Sequence, residues 1–164
     1  MPLQNPDYFA TNFRLTQALG AKLNAGDATF EPMGFAGIYL LVKQFPHPKI
    51  SGGAEIEVPF AGGGKYFDQQ PMDTSFQGQI TFLETEAGTV QSFAREVLLA
   101  GGFFDAKIYE GTPLFYSRAY LLERCFFKLD PSDRDWENRG QVLQLSGTLF
   151  GNYFGKEFPG IAGV

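Results

Sequence analysis

The run "LFYSRAYLLERCFFKL", residues 114–129, and the later run "QVLQLSGTLFGNYFG", residues 141–155, decide how this chain folds. At about 3.3 Å per residue the first would reach roughly 50 Å as one unbroken strand. Strands are typically about 5–6 residues long, so a bend or bulge is expected within it. Its alternating sets are Leu114, Tyr116, Arg118, Tyr120, Leu122, Arg124 and Phe126 on one side, and Phe115, Ser117, Ala119, Leu121, Glu123, Cys125 and Phe127 on the other. Neither is simply polar. Apolar residues on both sides exceed what one small domain covers, so the surplus is expected to meet neighbouring copies.

The second run has an unusual outer face. Leu143, Leu145, Gly147, Leu149 and Gly151 form one set; Gln144, Ser146, Thr148 and Asn152 form the other, with no charge before Lys156. Solvated strand faces normally carry Lys and Glu, which discourage edge pairing. The same pattern recurs in "SFQGQITFL" (75–83), where Phe76, Ile80 and Phe82 lie opposite Ser75, Gln77, Gln79 and Thr81. Two strands thus share a face that is wet but uncharged.

Around these, "AGIYLLVKQ" (36–44) reads as a strand with Ile38, Leu40 and Val42 on one side, stopped by Pro46 and Pro48, which cannot donate to a ladder. "AEIEVPF" (54–60) alternates Ala54, Ile56, Val58 and Phe60 against Glu55 and Glu57, and "AGGGKYFDQQPMD" after it reads as a glycine-rich loop. One helix is clear in "TEAGTVQSFAREVLLAGG": Val90, Phe93, Ala94, Val97 and Leu98 keep the i, i+3, i+4 spacing. Thr85 or Thr89 suits its cap, Glu86 its first turn, and Gly101–Gly102 its end. A turn at Gly111–Thr112–Pro113 leads into the long hairpin. Residues 1–30 read as a short helix or an extended arm, and 45–74 as one long excursion.

The 164 residues fit one domain, 1–164, with a sizeable core, and no linker or internal repeat divides them. Hydrophobic residues at 44% against 19% charged mark a globular chain rather than a disordered one. Twenty Gly and ten Pro between short apolar runs favour strands and turns. The expected fold is mainly β with one flanking helix, a barrel or sandwich with a long C-terminal hairpin. A net charge of −5 argues against gripping DNA or anionic lipid through a basic surface. No apolar stretch is long enough for a membrane span and residues 1–20 lack a signal-peptide pattern, so no membrane binding is expected. Cys125 is the only cysteine, which excludes an intrachain disulfide and fits synthesis in a reducing compartment.

Catalytic and cofactor chemistry is hard to assemble from these residues, and neither an enzyme, a cofactor nor a metal site is expected. His47, the only histidine, sits between prolines without a nearby Cys or His partner. "GGGK" (62–65) lacks the earlier glycine and the following Ser or Thr of a phosphate loop; Pro59 and Tyr66 stand there. The acidic loop "DPSDRDWENRG" (130–140) has the glycine and glutamate of a calcium loop misplaced. Trp136 within it is either tucked onto its own domain or an interface anchor. Glu55 and Glu57 lack a general-acid environment.

The order of elements resembles the tail tube proteins of contractile-tailed bacteriophages over roughly residues 30–156. The likeness is carried by "YLLERCFFKLDP" and "LQLSGTLFGNYFG". It implies a barrel-like or sandwich domain, shared with the ring-forming haemolysin-coregulated protein of type VI secretion systems, that forms hexameric rings stacked into a hollow tube. The implied partners are other copies, a sheath, a baseplate or tube initiator, a tape measure protein, and DNA passing transiently through the lumen. The implied place is the virion tail, assembled in the host cytoplasm. On this reading Gln77, Gln79, Thr81, Gln144, Ser146 and Thr148 line a channel that does not hold phosphates, and Glu55 and Glu57 add repulsion. Phe60, Tyr66, Phe67 and Trp136 serve stacking or subunit contacts, with 45–74 the main stacking segment. A tube initiator, terminator or baseplate hub protein of the same fold remains open, as does a carbohydrate-binding sandwich module using exposed Tyr and Trp.

Overall fold

The computed structural model describes residues 5–161. In chain order the elements are helix α1 (Pro6–Ala18), β1 (Thr29–Pro32), β2 (Val42–Gln44), β3 (Ser51–Gly52), β4 (Glu55–Phe60), β5 (Gly64–Gln69) and β6 (Met72–Asp73). After these come β7 (Ser75–Leu83), helix α2 (Thr89–Leu99), β8 (Phe104–Gly111), β9 (Tyr116–Leu129), β10 (Gln144–Asn152) and β11 (Glu157–Pro159). The main sheet runs β1–β8–β9–β10–β7–β2 with every neighbour antiparallel, and β11 joins β9 beyond the end of β10. It is a nearly closed, barrel-like sheet.

The bend expected in the long strand is a bulge at Arg124. Phe104 pairs with Cys125 and Ala106 with Leu122, so β9 carries one residue too many against β8. The same excess appears against β10, where Phe150 pairs with Phe126 and Asn152 with Glu123. Arg124 takes the left-handed conformation, φ 51°, and its N–H donates to Asp105 Oδ1 at 3.0 Å. An extra residue flips side-chain parity. Tyr120 and Leu122 face the core before the bulge, and Cys125 faces it afterwards, with Phe127 and Leu129 packed beside the core. Much of the two-sided apolar pattern of 114–129 is therefore internal, and strict alternation across Arg124 does not hold.

The core is a cluster of phenylalanines pinned by α2. The Phe93 ring meets Phe35 at 4.7 Å, Phe127 at 5.5 Å, Phe104 at 5.8 Å and Phe82 at 6.2 Å. Val90, Phe93 and Val97 are buried as the helical spacing requires, whereas Leu98 is exposed. The helix start differs from expectation. Glu84, not Glu86, supplies the acidic cap, its carboxylate accepting from the N–H groups of Thr85, Val90 and Gln91 at 2.9–3.1 Å. Thr85 Oγ1 accepts from the Thr89 N–H at 3.1 Å. Gly102 N–H closes the other end on Val97 C=O at 2.8 Å.

Two further expectations change, and one open alternative is decided. Residues 36–44 are not one strand: Gly37 at φ 82° leads into a 3-10 turn, Ile38–Leu41, leaving only Val42–Gln44 extended and Leu40 exposed. Residues 6–18 take the helical form of the two readings open for the N-terminal region, a second helix with no residue buried against the sheet. Asn5 accepts from the Asp7 N–H at 3.0 Å at its start. The glycine-rich loop is mostly strand: β4 and β5 form a hairpin, with β3 and β6 paired at its base. Gly62 and Gly63, at φ 99° and 84°, make the turn that a Cβ would strain.

Candidate functional site

Antiparallel register builds the polar face directly. Gln79 stands opposite Thr148, Thr81 opposite Ser146, Gln77 opposite Phe150 and Ser75 opposite Asn152. The Thr81 and Ser146 hydroxyls lie 3.2 Å apart and share a hydrogen bond. Gln77, Gln79, Thr81, Gln144, Ser146 and Thr148 thus occupy two adjacent strands of one sheet. Thr81 is covered, only 3% exposed, between Ser146 and the Gln44 position of β2. Glu55 and Glu57 are not on this sheet. They lie on the β4–β5 hairpin, where Glu57 pairs with Lys65 at 2.8 Å and both side chains are more than half exposed.

The neighbouring strands correct the idea of an uncharged face. Lys128 of β9 stands opposite Thr148 and is exposed, and Lys43, at the irregularity in β2, donates to Gln144 Oε1 at 3.3 Å. Neither was legible from β7 and β10 alone. Toward the bulge the face turns aromatic: Phe126 and Phe150 stack at 4.9 Å, Phe103 meets Phe126 edge-on at 5.8 Å, and the Arg124 guanidinium lies 4.3 Å over Phe103. Between this end and the polar rows an open cavity of about 500 Å³ is lined by Lys49, Asp73, Gln77, Arg124, Phe126 and Phe150 among others. Two hydrogen bonds from Ser75 and the nearby Lys49 hold the Asp73 carboxyl below its ordinary value.

The expected contact residues are all on the surface. Phe60, Tyr66 and Phe67 are 54%, 52% and 68% exposed on the hairpin, and the Phe60 and Tyr66 rings lie 6.3 Å apart. Trp136 is 90% exposed, so it is not tucked onto its own domain. Helix α1 adds Tyr8, Phe9, Phe13 and Leu15, all exposed.

Among the described residues no cluster of three His, Cys, Asp or Glu side chains could hold a metal. His47 packs edge-on against Tyr120 at 5.5 Å. Cys125 is fully buried and its thiol is pushed up to about 12, chiefly by burial, which leaves it without a reactive thiolate. Among the described residues no helix is long and apolar enough to cross a membrane.

No family model and no curated protein matches the chain. Solved structures do. A chain of the sheath–tube complex of the PVC extracellular contractile injection system, in its extended state, aligns at TM-score 0.54 and 13% identity, over 88% of this chain and 95% of that one. A chain of the sheath/tube terminator of the same system aligns at TM-score 0.56 and 12% identity, over 85% and 97%. The tube-terminating cap of the anti-feeding prophage aligns at TM-score 0.53 and 12% identity, over 81% and 89%. This chain therefore has the tube-protein fold of contractile injection systems, as the resemblance implied. The structures it resembles are structural parts of such machines, not enzymes.

Proposed function

We propose that this chain is a structural subunit of the tube of a contractile tail or injection system. Copies join side by side into rings, six to a ring as the resemblance implies, and the rings stack into a hollow tube inside a sheath. The observation that carries this reading is the continuous sheet β9–β10–β7–β2. Among the described residues it ends in an unpaired edge at β2, and it shows the Gln, Ser and Thr rows on one side, within a fold shared with a sheath–tube complex. An unpaired edge in a monomer is a liability; in a ring it is the subunit contact. Gln77, Gln79, Gln144, Ser146 and Thr148 then line the channel, and the β4–β5 hairpin carries Phe60, Tyr66 and Phe67 toward the next ring.

DNA ejection from a virion is the finer form of this reading, with a baseplate to nucleate the tube and a tape measure to set its length. Lys43 and Lys128 bear on it, because cations along a channel attract a polyanion in a salt-dependent way. They favour, as a second reading, a lumen that carries protein cargo. A terminator or cap is separated by stoichiometry: a tube subunit is present in many copies per particle, a cap in one ring.

Assembly is tested by electron microscopy of the purified chain with baseplate or other seed particles. Rings or tubes with an open channel are expected. A chain that stays monomeric at high concentration even when seeded refutes the proposal.

A further inference from the structure

Trp136 is the most exposed large apolar side chain of the described residues, and the turn that carries it is hydrogen-bonded. Asp135 Oδ1 accepts from the Glu137 N–H at 3.0 Å, Asn138 N–H donates to Asp135 C=O at 3.1 Å, and Asn138 Nδ2 donates to Gln141 Oε1 at 3.0 Å. Ser132 Oγ ties the loop base to Gln144 C=O at 2.9 Å. A tryptophan presented on a pinned turn costs little ordering when it binds. Around it stand Asp130, Asp133, Asp135 and Glu137 against Arg134 and Arg139.

The cavity at the other end of the same face has the complementary chemistry. Its walls are the stacked Phe126 and Phe150, and its charged groups are Lys49 and Arg124 against the single carboxylate Asp73. At about 500 Å³ it falls within the roughly 300–1,000 Å³ usual for pockets that take a small molecule, which leaves room for an indole ring. Within one chain the two features stand apart: Trp136 is 90% exposed and is not among the residues that line the cavity.

We infer that Trp136 of one copy enters the cavity between Lys49, Arg124, Phe126 and Phe150 of a second copy. Asp133, Asp135 and Glu137 then face Lys49 and Arg124, and Arg134 or Arg139 faces Asp73. This contact joins unlike ends of two molecules, so a bound pair still has one loop and one cavity free, and the same contact can repeat from copy to copy. It rests on the tube reading only for where it would act, between successive rings; the contact itself needs two copies alone.

The test uses two full-length preparations, Glu137→Cys and Gln77→Cys, mixed and treated with a short bismaleimide cross-linker. Cys125, fully buried, stays silent. A cross-linked dimer is expected in the mixture and in neither preparation alone. Adding Trp136→Ala to the Glu137→Cys chain should cut the yield at least about tenfold, as for a tryptophan at the centre of an interface. Lys49→Glu in the other chain should cut it further at low salt than at high. Melting of Trp136→Ala should match wild type, since the ring touches nothing in its own chain. No mixed cross-link at millimolar chain, or a yield indifferent to Trp136→Ala, overturns the contact. Seeded rings without the cross-link overturn it and leave the tube reading standing; the cross-link without rings under any seeding does the reverse.

Discussion

Replacing Gly147 by Ala tests how closely β10 and β9 are seated. Gly147 is buried opposite Leu129, and a Cβ built on it would lie 2.0 Å from the Lys128 carbonyl oxygen and 2.7 Å from Leu129 Cα. These are backbone atoms, so no side chain can swing aside. Restoring ordinary contact moves the strands apart by about 1.5 Å, where overpacking costs about 1–3 kcal/mol. The same shift weakens the adjoining bond from Asp130 N–H to Ser146 C=O, 2.8 Å in the native chain, for about 1 kcal/mol more. The total, about 2–4 kcal/mol, corresponds to a melting temperature lowered by about 5–12 °C in a chain of this size. Gly140→Ala is the control: nothing lies within 4 Å of its Cβ and its φ is not in the left-handed range, so it should melt within about 2 °C of wild type. Calorimetry or near-UV circular dichroism reads both. If Gly147→Ala also melts within 2 °C, the close approach of the two backbones does not exist and the β9–β10 register is wrong.

Glu84→Ala should destabilise the fold by about 1–2 kcal/mol through loss of the α2 cap, read by urea denaturation, because three N–H groups lose their acceptor. Burial holds Cys125, Tyr109 and Tyr153 up to about 12, against ordinary values of 9.0 for the thiol and 10.0 for the phenols. The folded chain keeps protons that the unfolded chain sheds, so stability should be full below pH 9 and fall as pH rises from 9 toward 12. Tyr153→Phe should make that fall shallower above pH 10 in a series of denaturation midpoints, and an unchanged slope would remove Tyr153 from the account. Deleting residues 62–67 should leave melting nearly unchanged, because the β4–β5 hairpin lies outside the core, yet stop seeded tubes from lengthening; microscopy decides. Gln144→Lys with Thr148→Lys puts new cations beside Lys43 and Lys128, and tubes should form but pass a polyanion more slowly, most of all at low salt. Release at the wild-type rate at every salt concentration would mean these residues do not face the channel.

What could be read from sequence follows from how local the cause was. β7 and β10 were legible because Phe76, Ile80 and Phe82, and Leu145 and Leu149, keep a strict period of two and pack on one core. α2 was legible for the matching reason at period 3.6. Arg124 hid the parity of β9, since a bulge is decided by the two neighbouring strands and an arginine is not a residue that announces positive φ. Gly37 turned an apolar run that alternates well enough for a strand into a tight helical turn. The triple glycine at 62–64 reads as a loop, and becomes a hairpin only because Glu55–Phe60 and Gly64–Gln69 find each other. On the candidate wall, the Gln and Thr rows came from single strands, whereas Lys128 and Lys43 joined them only through cross-strand register.

β9 belongs to both halves of the sheet, pairing with β8 and β11 near its start and with β10 near its end. A pull on one half reaches the other through a single run of peptide bonds as well as through the Phe93 and Phe127 rings packed between Phe82 and Phe104. Sliding the halves apart would require the flanking ladders to shear together, while the kink at Arg124 offers a short length of slack that straightens first. Load carried along β9 would therefore meet the kink at Arg124 before the regular ladders on either side of it.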